Sequence, residues 1–304
     1  MPEGDTVYRQ CKVLHEALAG GTLTAADLRV PGAATANLVG WNVHEVVPRG
    51  KHLLIRLLPP SEGVGAGEAG TPSRPPLTLH NHLMMDGIWH VDGKALRASD
   101  TSGGPRPAHT LRIRLTVTHQ DGRTVVASGW DVKQVRLIRT SDEHELVGHL
   151  GPDLLDPGWS EAHREQAVSG LLGEPQREIG LALLDQQVMA GLGNIYRSEL
   201  CFLQRVHPAA PVSTWVDSGG EPGAMVDLAR RLLMLNKDRT VRVTTGGMMG
   251  RDGDLWVYGR SGKPCRRCRS RIHRAEMADP SIEGSTPRVI YTCPRCQGEA
   301  PAGR

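Results

Sequence analysis

Two groups of residues in this sequence have the types and spacing for chemistry, one at each end of the chain. Met1-Pro2-Glu3 opens it, and a small residue at position 2 permits removal of the initiator methionine. Pro2 would then be a secondary amine with the Glu3 carboxylate beside it. An α-amino group titrates near roughly 7.7 to 8, against about 10.4 for lysine, so a sizeable fraction is neutral and nucleophilic at physiological pH. Condensation with a sugar carbon gives a cationic iminium, an electron sink that eases elimination of neighbouring groups. This chemistry needs an exposed imino terminus. Read alone, Met-Pro-Glu is most simply an ordinary start, and its meaning depends on the rest of the chain.

At the other end stand Cys265-Arg-Arg-Cys268 and, after twenty-four intervening residues, Cys293-Pro-Arg-Cys296. Two Cys-x2-Cys knuckles supply four thiolates for one tetrahedral zinc, and a closed four-sulfur site is structural because no position remains for water. Val257-Tyr258-Gly259 and Arg288–Thr292 read as the strands of a β-ribbon around it, with Arg288 projecting from the tip toward a phosphate and no recognition helix for base reading.

The elements that position these groups follow from length and patterning. A chain of 304 residues with 39% apolar and 23% charged residues builds a core and more than one domain. One phenylalanine and four tyrosines count against modules that stack RNA bases on aromatic sheets. The formal charge of +3 is unevenly spread: residues 236 to 304 hold fourteen basic and seven acidic groups, net +7, which leaves net −4 for residues 1 to 235. Positive charge concentrated beside a metal motif points to a polyanion such as nucleic acid, although a solvated basic face would look the same. With no signal-like start and no apolar run of about eighteen residues, a cytoplasmic protein without membrane contact is expected, and its cysteines are metal ligands or buried thiols rather than disulfides.

Asp5 can cap a helix whose positions Val7, Cys11, Leu14 and Leu18 form an apolar stripe, with Cys11 a core thiol and Gly20-Gly21 the stop. Pro2 and Glu3 then precede a helix N-terminus, where an anion is favoured. From about 42 to 139 short alternating runs read as strands of a β-sandwich or barrel: 43–47, 52–58, 77–79, 88–91, 111–118, 124–127 and 135–138. Gly/Pro segments at 59–76 and 99–107 read as mobile surface loops. Helices are expected over most of 141 to 236, one of them running from Pro175 through Ile179, Leu183 and Leu184. Within that region Gly191-Leu-Gly-Asn194 is a glycine turn feeding a helix, which reads either as a backbone cradle for phosphate or as a plain helix-turn-helix corner.

Taken together, Pro2-Glu3, Arg49-Gly50-Lys51-His52, Gly191-Leu-Gly-Asn194 and the four-cysteine ribbon resemble, in order and spacing, the formamidopyrimidine-DNA glycosylase and endonuclease VIII family over nearly the whole chain. The resemblance implies a multidomain α+β protein: an N-terminal β-sandwich with an N-terminal helix (residues 1–139), a helix-two-turn-helix domain (140–245) and a C-terminal zinc β-ribbon finger (246–304). It implies a bifunctional DNA glycosylase and AP lyase of base excision repair, acting on damaged double-stranded DNA as a monomer, in the cytoplasm and on the nucleoid if the source is bacterial. Pro2 would be the nucleophile, Glu3 the general acid or base, and Lys51 a phosphate contact that favours attack, unless it is merely a solvated turn lysine. Asn194, Arg288 and His82 would bind phosphate.

Within His80-Asn-His-Leu-Met-Met-Asp-Gly-Ile-Trp89, Met85, with Met84 next, would fill the gap left by a flipped base, core packing being the alternative. Glu199 falls where the family has a further active-site carboxylate, or else pairs with Arg197 or Arg205. Pro-Glu-Gly at the start is nearer the endonuclease VIII branch, which favours oxidised pyrimidines. Asp5-Thr6 departs from the family's usual Pro-Glu, and Ala275 to Pro287 reads as a looped insertion in the finger. The competing reading is a catalytically silent zinc-ribbon protein that recognises damaged or abasic DNA.

Overall fold

The computed structural model describes residues 2–60, 74–96, 106–246, 254–280 and 284–300. The cores of the two Gly/Pro segments, 61–73 and 97–105, lie outside the described residues. The chain divides into two compact units, one of residues 1–2 and 6–149, the other of residues 3–5 and 150–304.

The first unit is built on helix α1 (Gly4–Leu18) from Thr6 onward and nine antiparallel strands. These are β1 (Thr22–Leu28), β2 (Asn42–Arg49), β3 (His52–Leu58), β4 (Leu77–His82), β5 (Ile88–Val91), β6 (Lys94–Ala95), β7 (Leu111–Thr118), β8 (Thr124–Trp130) and β9 (Lys133–Arg139). Hydrogen bonding runs in the order β6-β5-β8-β7-β1-β2-β3-β4-β9. Only the pair Thr22↔Asn42 registers β1 with β2, so five strands and four strands form the two layers of a sandwich joined at that corner. Inward residues of both layers, among them Leu23, Ile55, Leu79, Ile113 and Val117, share one core with Val7, Cys11, Leu14 and Leu18 of α1. Each such apolar side chain contributes about 1.5–3 kcal/mol by leaving water. All seven strands expected from alternation are present. β1 and β6 are additional, and the short helix α2 (His144–Val147) follows the sheet.

The second unit holds α3 (Glu161–Leu172), α4 (Ile179–Ala182), α5 (Asn194–Leu203), α6 (Val212–Asp217), α7 (Pro222–Asn236), the ribbon β10 (His273–Met277) and β11 (Arg288–Thr292), and α8 (Pro294–Gln297). The helix expected from Pro175 through Leu184 is a single turn, because Leu183 and Leu184 already belong to the turn leading to Gln187. Two readings of the finger are corrected. Val257-Tyr258-Gly259 is a turn rather than a strand, its backbone N–H groups at 257 and 258 being taken by Glu199. The partner of β11 is instead β10, with Met277 opposite Arg288, so Ala275–Met277 is ribbon and not looped insertion. Among the described residues no helix is long and apolar enough to cross a membrane.

Candidate active site and metal centre

Glu3 is fully buried, and its carboxylate sits on the N-terminus of α5. The N–H of Gly193 donates to Oε2 at 3.1 Å, that of Ile195 to Oε1 at 2.7 Å and that of Tyr196 to Oε2 at 3.3 Å. These are orphan donors that a helix start must satisfy, at its positive end. The glycine turn is therefore a cradle for an anion, but the anion is a side chain of the same protein, and the phosphate reading of these amides is corrected accordingly. Glycine is required for space: a Cβ at Gly193 would lie 2.5 Å from the Glu3 carboxyl carbon. Gly4 donates its N–H to the Gly191 carbonyl at 2.8 Å.

Asp5 is not a free cap. It is buried and forms a two-pronged ion pair with Arg242, at 2.5 Å from Nη2 and 2.7 Å from Nε, and accepts the Tyr196 hydroxyl at 2.8 Å. Burial works against the Arg242 charge, but Asp5 and then Glu3 outweigh it and hold the guanidinium above its ordinary value. Burial, followed by the Asp5 carboxylate, pushes the Tyr196 phenol well above its ordinary range. Pro2 is buried as well, whereas the sequence reading calls for an exposed imino terminus. Its nitrogen is an amide while Met1 is attached, so only removal of Met1 would create the amine.

In the first unit, Arg49 and His52 pair across the β2–β3 hairpin, and Gly50 takes φ +57° at the first turn position. A two-residue turn of this kind needs glycine there, and it leaves Lys51 at the tip, half-buried. Behind it lies a histidine array that the sequence reading did not single out, apart from His82. His52 Nδ1 and His80 Nε2 are 2.8 Å apart, the His52 and His82 rings meet edge to face at 5.0 Å, and His82 Nδ1 accepts the Met84 N–H at 2.9 Å. They line a cavity of about 480 Å³ with Gln134, Arg136 and His149. Burial pulls His52 down to about 3, helped by His82, His80, His149 and Lys51. Burial also lowers His82 to about 4, with Lys51 and His80 adding to it. Met84 and Met85 are 44% and 56% exposed, which removes core packing as their explanation. Leu83 beside them is buried.

Asn194 and Arg288 lie at the α5–β11 seam. Asn194 Nδ2 donates to the Val289 carbonyl at 2.7 Å, and its Oδ1 accepts from Arg197. Arg288 is exposed at the first position of β11. Glu199 pairs with neither Arg197 nor Arg205. It accepts the N–H groups of Trp256, Val257 and Tyr258 at 2.8, 2.9 and 2.9 Å and the Thr244 hydroxyl, so it latches the 254–260 segment onto α5. Arg242 was missed by sequence reasoning, and Arg197, His52 and His80 were named in it without a role of their own. The only available signal was ionisable residues inside otherwise apolar strands and helices.

The Sγ atoms of Cys265, Cys268, Cys293 and Cys296 all lie within 4.8 Å of one another. Cys268 and Cys293 are 3.3 Å apart and Cys265 and Cys296 4.0 Å. Both distances are far beyond a disulfide bond, and they bracket the edge of about 3.8 Å that a tetrahedron with metal–sulfur bonds of about 2.3 Å requires. The donor set fits one metal ion. Cys265 and Cys293 pack with Phe202, Val257 and Ile272 in the finger's small core.

Residues 1–137 match the family model described as the formamidopyrimidine-DNA glycosylase N-terminal domain, and residues 150–218 match the formamidopyrimidine-DNA glycosylase H2TH domain. The protein named probable endonuclease 8 2 in Streptomyces coelicolor is 44% identical over 302 residues, which span 99% of this chain and 96% of that one. The DNA-(apurinic or apyrimidinic site) lyase Nei2 of Mycolicibacterium smegmatis is 40% identical over 298 residues, 98% of this chain and 99% of the relative. Among solved structures, the MutM (Fpg) protein of Thermus thermophilus superimposes with a TM-score of 0.68 at 26% identity, covering 99% of this chain and 100% of that one. Relatives of 40% identity and more align with it almost end to end, through both the Glu3 cradle and the four-cysteine finger, and the chain belongs to the formamidopyrimidine-DNA glycosylase and endonuclease VIII family.

Proposed function

We propose that the protein is a bifunctional DNA glycosylase and AP lyase of base excision repair, with Pro2 as nucleophile. The observation that carries this reading is the placement of the Glu3 carboxylate on the α5 amides, which supports a role for the residue next to Pro2 in the chain as its proton-transfer group. After Met1 is removed, the Pro2 lone pair attacks C1′ of the damaged nucleotide. The bond from C1′ to the base breaks, and an iminium forms between Pro2 and the opened sugar, with Glu3 moving the proton to and from the ring oxygen. Loss of a C2′ proton expels the 3′ phosphate, and a second elimination expels the 5′ phosphate, leaving a gap with phosphate at both ends.

Lys51 at its hairpin tip, His82, Asn194 and Arg288 hold phosphates on damaged duplex DNA, with an affinity that falls steeply with salt. Met85, exposed beside Met84, fills the stack when the nucleotide is flipped out. Zinc on Cys265, Cys268, Cys293 and Cys296 supplies shape to the ribbon and leaves no open position for chemistry. Oxidised pyrimidines are the favoured lesions, a reading supported by the Pro-Glu-Gly start and by relatives named endonuclease 8 2 at 40–44% identity, although others named endonuclease 8 and those named formamidopyrimidine-DNA glycosylase both stand at 29%. The working divisions are residues 1–139 for catalysis, 140–245 for the helix-two-turn-helix and 246–304 for the finger, in a monomer acting in the cytoplasm.

Borohydride trapping tests the proposal. A covalent adduct with a duplex containing an abasic site is expected for the wild type and is expected to vanish in Pro2→Gly. A folded wild-type protein that binds the duplex yet forms no adduct would instead be the silent zinc-ribbon binder.

A further inference from the structure

Residues 3 to 5 belong to the second unit, although Pro2 before them and the chain from Thr6 to His149 belong to the first. Each of the three is tied there by a different group: Glu3 by the α5 amides, Gly4 by the Gly191 carbonyl, and Asp5 by Arg242 and Tyr196. The last tie is the one the sequence gives least reason to expect, because Asp5-Thr6 stands where the family resemblance has Pro-Glu.

Arg242 is set firmly in place. Asn236 at the end of α7 exchanges two hydrogen bonds with Val243, donating from Nδ2 to its carbonyl at 2.9 Å and accepting its N–H at 2.7 Å, and the next residue, Thr244, is bonded to Glu199. From this backbone the Arg242 guanidinium takes Asp5 in its fork and lies over the Tyr196 ring, 4.9 Å from the centroid. Tyr196 is in turn held by both carboxylates, its N–H by Glu3 and its hydroxyl by Asp5. The Glu3 charge also supports that of Arg242, so the four residues form one linked set.

A buried ion pair adds little stability over apolar residues of the same volume. What a guanidinium fork does add is direction, since it accepts a carboxylate in one plane through two parallel bonds. Here the carboxylate so directed belongs to the first turn of α1, and only Glu3 and Gly4 separate it from Pro2.

We infer that Asp5 and Arg242 are positioning residues for the reaction, which hold the first turn of α1 so that Glu3, and the Pro2 nitrogen before it, keep one orientation toward the reacting sugar carbon. Tyr196 is the lesser member of the set. The inference rests on the proposed function, whose nucleophile it serves.

The experiment uses the full chain with its metal bound and Met1 shown by mass to be removed, and compares the wild type with Asp5→Asn, Arg242→Gln and Arg242→Lys. One measurement is the single-turnover rate of the borohydride-trapped adduct on an abasic duplex at saturating protein. The other is affinity for an uncleavable tetrahydrofuran-containing duplex, with thermal melts giving the folded fraction. A reacting group misplaced by about 1 Å can cost on the order of 100-fold, so Asp5→Asn and Arg242→Gln are expected to slow adduct formation by about 10- to 100-fold with affinity within about twofold of wild type. Arg242→Lys keeps the charge without the fork and recovers part of the rate. The double variant is no slower than the slower single one, because all three lose the same contact.

A purely structural pair would lower the melting temperature and leave the saturated rate per folded molecule unchanged, and that result in Asp5→Asn and Arg242→Gln overturns the inference. Should these two not fold, Arg242→Lys and Tyr196→Phe, which removes only the hydroxyl bonded to Asp5, decide instead. A rate lowered by about threefold at unchanged affinity supports the inference, and wild-type rates in both overturn it. A wild type that forms no adduct sinks the proposed function and this inference with it, whereas a normal wild-type adduct with unaffected variants sinks this inference alone.

Discussion

Glu3 and Glu199 are both fully buried carboxylates, one at the head of α5 and one on it, and they differ in what remains of their capacity to accept hydrogen bonds. An ionised carboxylate offers about four acceptor positions. Glu199 fills them with three backbone N–H groups and the Thr244 hydroxyl. Glu3 receives three, all from backbone, and keeps one acceptor position unfilled. The difference leaves Glu199 a saturated latch and Glu3 with an acceptor position to spare, although the two residues look alike in the sequence and the family resemblance nominates both.

The comparison breaks first at Glu3. Glu3→Gln is expected to lower the strand-scission rate on an abasic duplex by about 10²–10⁴, and an unchanged single-turnover rate would show that its spare position is idle. Glu199→Gln should do the reverse, because its new amide hydrogens face N–H donors. Stability is expected to fall by about 2–4 kcal/mol in denaturant melts, while the rate per folded molecule stays within threefold.

Gly193→Ala joins the two effects, since its methyl would press on the Glu3 carboxyl group. A loss of about 1–3 kcal/mol is expected, together with a slower reaction that Glu3→Gln does not slow further.

The smallest effect is predicted in the other unit, where the buried ionisable groups are held neutral. The folded pKa of His52 is about 3, below its unfolded 6.5, so the unfolded chain takes up the proton first. The stability from this group is complete above pH 6.5 and is lost as the pH falls from there toward 3. Between pH 7.5 and 5.5 about 1 kcal/mol should disappear, and His52→Asn should flatten that slope in thermal melts.

Much of the fold was legible because its apolar positions alternate or recur with helical period. The stripe of α1 and seven strands announce themselves in this way. β1 escaped notice because Thr22–Leu28 has a register break between Leu23 and Ala25 and a polar, small-residue middle. β10 escaped because His-Arg-Ala-Glu-Met is exposed along almost its entire length and is a strand only by pairing with β11. The two cysteine knuckles needed no more than their spacing.

The site was less legible. The Glu3 bonds join residues about 190 positions apart, and no local pattern encodes them. Arg197 was hidden by a different assumption, that a helix has a wet face. In α5 every residue from Asn194 to Phe202 is buried, Arg197, Ser198 and Glu199 included.

The glycines at the start of the chain and before α5 have a consequence for how the protein can vary. A Cβ at Gly4 would fall 2.9 Å from the Gly191 Cα, just as one at Gly193 would strike Glu3, and Gly191 itself holds φ +108°. These positions exclude one another's side chains across most of the length of the polypeptide. A replacement at any of them is felt at the other end of the contact, so the beginning of the chain and the turn before α5 constrain each other.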